Sequence, residues 1–355
     1  MGKLHILLST FFSEMGLNAK APPPITKSTL AIGVRHSPET ICLPFKIMLG
    51  NFIEALEQGA DTVLTCGGTG PCRLGVYAQV QQEILNRLGY RFEMLVAEPS
   101  VTSVYTLLKR ICPRNKWGSI YHALRFSKAK MNMIDELERR TAFIAPREKR
   151  SGESTEIYNK ALSKIEQADS ETQLKECWLT TVSQLEEVEL KDNPYLLRIG
   201  LVGEIYVMLE PYVNQQLEKR LGEMGVEVHK TLTVSSYIEG HILHNNLYRK
   251  MYQSLDELAR PYLGHFVGGH GLKSIAHTLQ QSRENIDGMI QVYPFTCMPE
   301  VIAKNILPHV YRETGVPVLM LAYDEHSGEA GLITRLEAFV DLLRCRKKNL
   351  GKILH

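Results

Sequence analysis

SPETICLPFKIMLGNFIEALEQGADTVLTCGGTGPCRLGVY, residues 37–77, joins a helix, a buried strand and a glycine-rich loop into one unit that carries cysteines at both ends. Ser37 and Pro38 suit an N-cap and a first helical position, and Glu39 puts negative charge where the helix dipole favours it. Apolar residues recur at helical spacing through Ile47, Leu49, Ile53 and Leu56, and Gly59 stops the run. Asp61–Thr65 is a short apolar stretch of the kind buried on both faces of a parallel sheet. It opens into Cys66-Gly67-Gly68-Thr69-Gly70-Pro71-Cys72. In open α/β sheets ligands sit at the carboxyl ends of strands, and this loop brings two thiols there.

On the N-terminal side, His5–Gly16 has the pattern of an amphipathic helix. Pro22, Pro23 and Pro24 force Asn18–Ile25 to be extended, and Thr26–Val34 makes a short helix. Beyond Cys72 the pattern predicts a helix over Leu74–Leu88, a strand over Phe92–Val96 and a helix over Val101–Cys112 closed by Pro113. From 119 to 193 the chain turns to long, charged, helix-forming segments. After Asn193-Pro194 a fresh α/β pattern begins. Strands are expected at Leu196–Val202, Val226–His229, Gly288–Val292 and Val316–Ala322, and His265–Gly271 reads as a strand into a glycine turn, with helices at Val213–Met224, Leu272–Asn285 and Ile333–Arg346. The expected architecture is α/β: two Rossmann-like parallel-sheet lobes, 1–118 and 196–355, joined by a helical connector, 119–195, with the site between the lobes.

The chain of 355 residues is 44% hydrophobic and 23% charged, the balance of a globular protein that can bury a sizeable core. A net charge of +2 gives no electrostatic footprint for nucleic acid or a membrane surface. No apolar run approaches the ~18 residues that cross a bilayer, and the start lacks a small-residue cleavage site. Seven cysteines, an odd number without secretory features, fit reduced thiols in a cytoplasm better than a disulfide framework.

Four thiols lie beside turn-forming residues: Cys42 two before Pro44, Cys66 and Cys72 flanking the glycine loop, and Cys297 two before Pro299. Glycines and prolines let backbone approach an iron–sulfur cluster closely, and helix N-termini stabilise thiolate charge. Buried cysteine is also often a small hydrophobe, and Cys66, at a strand end, is the one of the four that packing explains best. Cys112, Cys177 and Cys345 sit on helices without such turns. A Cys₄ zinc site or a Cys66–Cys72 redox disulfide uses the same residues, but no CxxC pair supports either. The glycine loop lacks the GK[ST] of a P-loop, and Gly268-Gly269-His270-Gly271 lacks the dinucleotide fingerprint. Glu204, His270, Ser274 and Glu300 fall at expected strand ends or helix starts, where caps and pocket residues both occur. His122, His241 and His244 read as surface residues.

Taken together, the segments at 37–61, 67–85 (GGTGPCRLGVYAQVQQEIL), 200–228 (GLVGEIYVMLEPYVNQQLEKRLGEMGVEV), 287–310 (DGMIQVYPFTCMPEVIAKNILPHV) and 335–343 (RLEAFVDLL) resemble the 2-hydroxyacyl-CoA dehydratase/CoA-activase-related iron–sulfur superfamily, which includes double-cubane cluster proteins. The resemblance spans nearly the whole chain outside the connector. It implies α/β lobes around an oxygen-sensitive cluster, [4Fe-4S] or a double cubane, with an open iron site. Cys42, Cys72 and Cys297 are the implied ligands, and Cys66 a weaker fourth. It also implies electrons from an ATP-dependent activator of the actin/sugar-kinase fold, a related sister subunit or a homodimer, and a lyase or reductase role. In the dehydratases the electron passes to a thioester carbonyl, and the resulting ketyl radical expels a β-hydroxyl. The alternatives are a non-catalytic electron-transfer or scaffold partner of an activase, and a zinc-bound or cluster-free binding protein. This sequence departs from the family in three respects. Met1-Gly2-Lys3-Leu4 stands where family members begin with a strand, which suggests a late start or a shortened first lobe. The six ligands of a double cubane do not map onto its cysteines, and only one of the two dehydratase subunits is represented.

Overall fold

The computed structural model describes residues 2–68, 71–98, 100–113, 117–193, 195–242 and 246–353. Thr69, Gly70, Pro194, His244 and the His241 side chain lie outside the described residues. Within them the chain is mixed α/β, with fifteen α-helical segments and two small parallel sheets.

The first sheet has two strands, β1 (Thr62–Cys66) and β2 (Glu93–Ala97), in parallel register from Thr62↔Glu93 to Cys66↔Ala97. Beside it, Phe45, Leu49 and Ile53 of the helix Leu43–Glu57 pack with Val63 of β1 and with Tyr77 and Leu85 of the helix Tyr77–Arg87. The helix Lys27–His36 opens with a capping box, Thr26 and Thr29 exchanging side-chain-to-amide hydrogen bonds. It crosses Leu43–Glu57 at glycine contacts: a Cβ on Gly33 would lie 1.8 Å from the Lys46 carbonyl oxygen, and one on Gly50 would lie 2.0 Å from that of Thr29. Only residues without a Cβ allow backbones this close.

Ser37 does not start the second of these helices. It is the C-cap of Lys27–His36, residues 38–41 form a turn, and Cys42 takes the N-cap. Pro44 explains the shift, because proline is accommodated in a first turn and not further along.

The middle of the chain is helical, as its composition requires: Trp117–Ile144, Glu153–Gln167 and Glu171–Glu186 bury Ile134, Leu137, Ile165 and Leu185 among themselves. The N-terminal helix Leu4–Glu14 joins this core through Ile6.

The second sheet has four parallel strands in the order β4 (Val226–Lys230), β3 (Leu197–Gly203), β5 (Gly288–Pro294), β6 (Val318–Tyr323). β3 and β5 are buried almost throughout, as continuous apolar strands in a parallel sheet should be. Leu43 and Ile47, from the helix beside the first sheet, enter this second core with Ile199, Ile290 and Val292. Two expectations fail here. Residues 265–267 form no strand, although the glycine turn expected after them is present, with Gly268 at φ +88° and Gly269 at φ +47°. The helix expected over Val213–Met224 is shortened to Leu217–Glu223, because Gln215 and Gln216 take left-handed φ values of 55° and 58°. Among the described residues no helix is long and apolar enough to cross a membrane.

Candidate functional site

The sheet order β4-β3-β5-β6 reverses its direction of winding between β3 and β5, and the crevice at their carboxyl ends is where parallel sheets take ligands. β3 ends at Gly203-Glu204, and β5 leads through Pro294 to Thr296-Cys297.

Cys42, Cys72 and Cys297 each occupy an extended N-cap position. Cys42 precedes Leu43–Glu57, Cys72 the 3₁₀ turn Arg73–Val76, and Cys297 the helix Met298–Thr314. Cys42-Leu43-Pro44 and Cys297-Met298-Pro299 are the same local device, with proline in the first turn. At other helix starts Thr26, Ser100, Ser170, Glu204 and Thr233 cap with side-chain oxygens. None of the three cysteine side chains closes a full capping hydrogen bond, although the Leu74 and Glu300 amides approach the Cys72 and Cys297 sulfurs.

Tertiary packing brings the three elements together. Cys42 Sγ lies 3.8 Å from the Thr296 carbonyl oxygen, next to Cys297. The Arg73 guanidinium, beside Cys72, donates to Cys42 Sγ at 3.0 Å, to the Thr40 carbonyl at 2.9 Å and to the Thr296 carbonyl. The glycine turn at 268–271 is wedged between two of the cysteine segments. A Cβ on Gly268 would sit 2.9 Å from the Cys72 nitrogen, and one on Gly271 would sit 2.2 Å from the Pro299 carbonyl oxygen. The glycines that looked like a failed nucleotide fingerprint are therefore close-approach positions.

Burial dominates the electrostatics. It raises the Cys72 and Cys297 thiols, and the nearby Glu204 carboxyl raises both further. The backbone amides of Leu74 and Glu300 act in the opposite direction on Cys72 and Cys297 respectively. Burial and then the nearby Cys42 sulfur keep the Tyr77 hydroxyl protonated. Its ring meets Phe45 edge to face at 5.0 Å. Glu204, desolvated at the end of β3, is pushed up to about 6 despite accepting from the Tyr206 and Val207 amides. Glu300 is fully buried and pushed up to about 7 by desolvation, against donation from Gln291 and Ser274.

Cys66 is exposed at the end of β1, on the side of Tyr237, whose hydroxyl burial raises to about 12. Cys112 and Cys177 are buried, Cys177 within the connector core, and Cys345 is exposed on the last helix. The His270 ring lies 6.1 Å from that of Tyr237. His122 is exposed, 3.4 Å from Glu14. Sequence reasoning did not find Arg73 or Tyr77. A basic residue directly after a loop cysteine was the one available signal for Arg73. Among the described residues no three His, Cys, Asp or Glu side chains are disposed to hold a metal ion. The chain matches no protein-family model and no curated protein.

Proposed function

We propose that this chain is an iron–sulfur protein of the 2-hydroxyacyl-CoA dehydratase type. In this reading its two sheets are the cores of two Rossmann-like lobes, and Cys42, Cys72 and Cys297 hold a cluster, [4Fe-4S] in the simplest case, where the lobes meet. The observation that supports it is the convergence of three N-cap cysteines from segments far apart in the sequence. A single zinc ion needs its donors within ~2.0–2.3 Å of one point, and no such trio exists among the described residues. A cluster has a width of its own and takes thiolates from segments further apart. Three thiols also leave one iron open, which is the arrangement that the dehydratase type requires. When bound, the cluster would supply a low-potential electron received from an ATP-dependent activator of the actin/sugar-kinase fold. The chain's part is to hold the thiolates at helix N-termini, to exclude water by burying Cys42 and Cys297, and to keep the Glu204 and Glu300 carboxyls close by.

Anaerobic purification, iron and sulfide analysis and a visible spectrum test this. Cys42→Ser, Cys72→Ser and Cys297→Ser should each lose iron, and Cys345→Ser should keep it. A colourless wild-type protein, metal-free or stoichiometric in zinc, would overturn the proposal. With activator, ATP and acyl-CoA thioesters, turnover marks an enzyme. Cluster reduction without turnover marks an electron-transfer partner instead.

A further inference from the structure

We propose that Arg73 is the positioning residue of this three-thiol site, tying the three cysteine-bearing segments together and setting the electron affinity of whatever Cys42 ligates. The inference rests on the cluster reading above. Arg73 is held at its backbone by the Cys72 turn, and its side chain leaves that turn to reach two others. Nη1 donates to the Thr40 carbonyl at 2.9 Å, two residues before Cys42. Nη2 donates to the Cys42 sulfur at 3.0 Å and to the Thr296 carbonyl, one residue before Cys297. One guanidinium thus spans partners 31, 33 and 223 residues away in sequence. Arginine suits this span, because its planar fork places donors on two nitrogens in fixed directions and stays charged. A lysine carries its three donors on one nitrogen, so it could serve the Cys42 and Thr296 acceptors that share Nη2 but would lose the Thr40 contact made by Nη1.

The contact to sulfur has a consequence that the carbonyl contacts lack. A cationic N–H donor on a ligating sulfur stabilises the more negative, reduced state, and hydrogen bonds to sulfur are among the factors that set cluster potentials. Removing the donor should make the site harder to reduce even where iron is retained.

The test uses the anaerobically reconstituted full chain, as wild type, Arg73→Lys and Arg73→Gln, with iron content and an EPR-monitored redox titration. Arg73→Gln keeps all three thiols, so it should take up iron, and its reduced-to-oxidised ratio at a fixed potential should fall about tenfold. For a one-electron couple that is a negative shift of about 59 mV. Arg73→Lys, which keeps the charge, should fall between the two. Thermal unfolding of the iron-free Arg73→Gln and Cys42→Ala single and double variants should give non-additive losses, because the two side chains touch. Wild type that binds a cluster, with Arg73→Gln at an unchanged potential, would overturn the inference and leave the cluster reading intact. Additive losses in the iron-free protein would likewise count against it. Wild type that takes up no iron would overturn the cluster reading on which the inference rests.

Discussion

Glu300→Gln should flatten the pH dependence of stability. The Glu300 carboxyl is fully buried in the first turn of Met298–Thr314, accepting from Ser274 Oγ at 3.0 Å and Gln291 Nε2 at 2.8 Å. Desolvation outweighs these donors and moves the carboxyl from 4.5 to about 7. A folded-state value above the unfolded one means that the native chain binds the extra proton. The resulting stabilisation is complete below 4.5 and is lost as pH rises through 7. At about 1.36 kcal/mol for each pH unit, the full loss is about 3 kcal/mol, of which about 2–3 kcal/mol falls between pH 5 and 8. Glutamine fits the same space, accepts from Ser274 and Gln291 through its carbonyl, and cannot ionise. Urea denaturation of the iron-free protein and variant at pH 5 and pH 8 measures the difference. The variant should gain on wild type by about 2–3 kcal/mol between the two pH values. Glu204, raised in the same direction, is common to both proteins and cancels. An equal pH slope in both would show that Glu300 is ionised when folded and would refute the burial argument.

Three further outcomes follow from the packing. Glu325→Gln leaves the Lys46 ammonium, 4% exposed and 2.5 Å from its carboxylate partner, buried without a counter-charge, at a cost of about 3–5 kcal/mol. Lys46→Met leaves only a partly solvated carboxylate and should cost less, an order that denaturant midpoints would check. Gly268→Ala forces a side chain onto φ +88° and into the Cys72 backbone, at a cost of about 1–3 kcal/mol. It should also raise trypsin cleavage after Arg73, and a wild-type digestion pattern would argue against the wedge. Phe45→Ala empties a fully buried site against Tyr77 and should lower stability by about 3–5 kcal/mol in thermal or chemical unfolding.

Local chemistry made much of this molecule legible from its sequence. The apolar runs that became β1 to β6, the helix-forming charged middle and the cysteine–proline pairs all act within a few residues, through period, propensity and the fixed φ of proline. Even the error at Ser37 was one of competing local signals, settled by which turn Pro44 can enter. What the sequence could not state was proximity. Cys42 and Thr296 are 254 residues apart, and they meet because Leu43 and Ile47 are buried in the core of the second sheet. The role of Arg73 appears only when folding places Thr40, Cys42 and Thr296 within its reach. Glu300 looked like an ordinary first-turn carboxylate, and only burial against Ser274 and Gln291 gave it an unusual proton affinity. Periodicity and turn chemistry are properties of neighbours along the chain, whereas desolvation and convergence belong to neighbours in space.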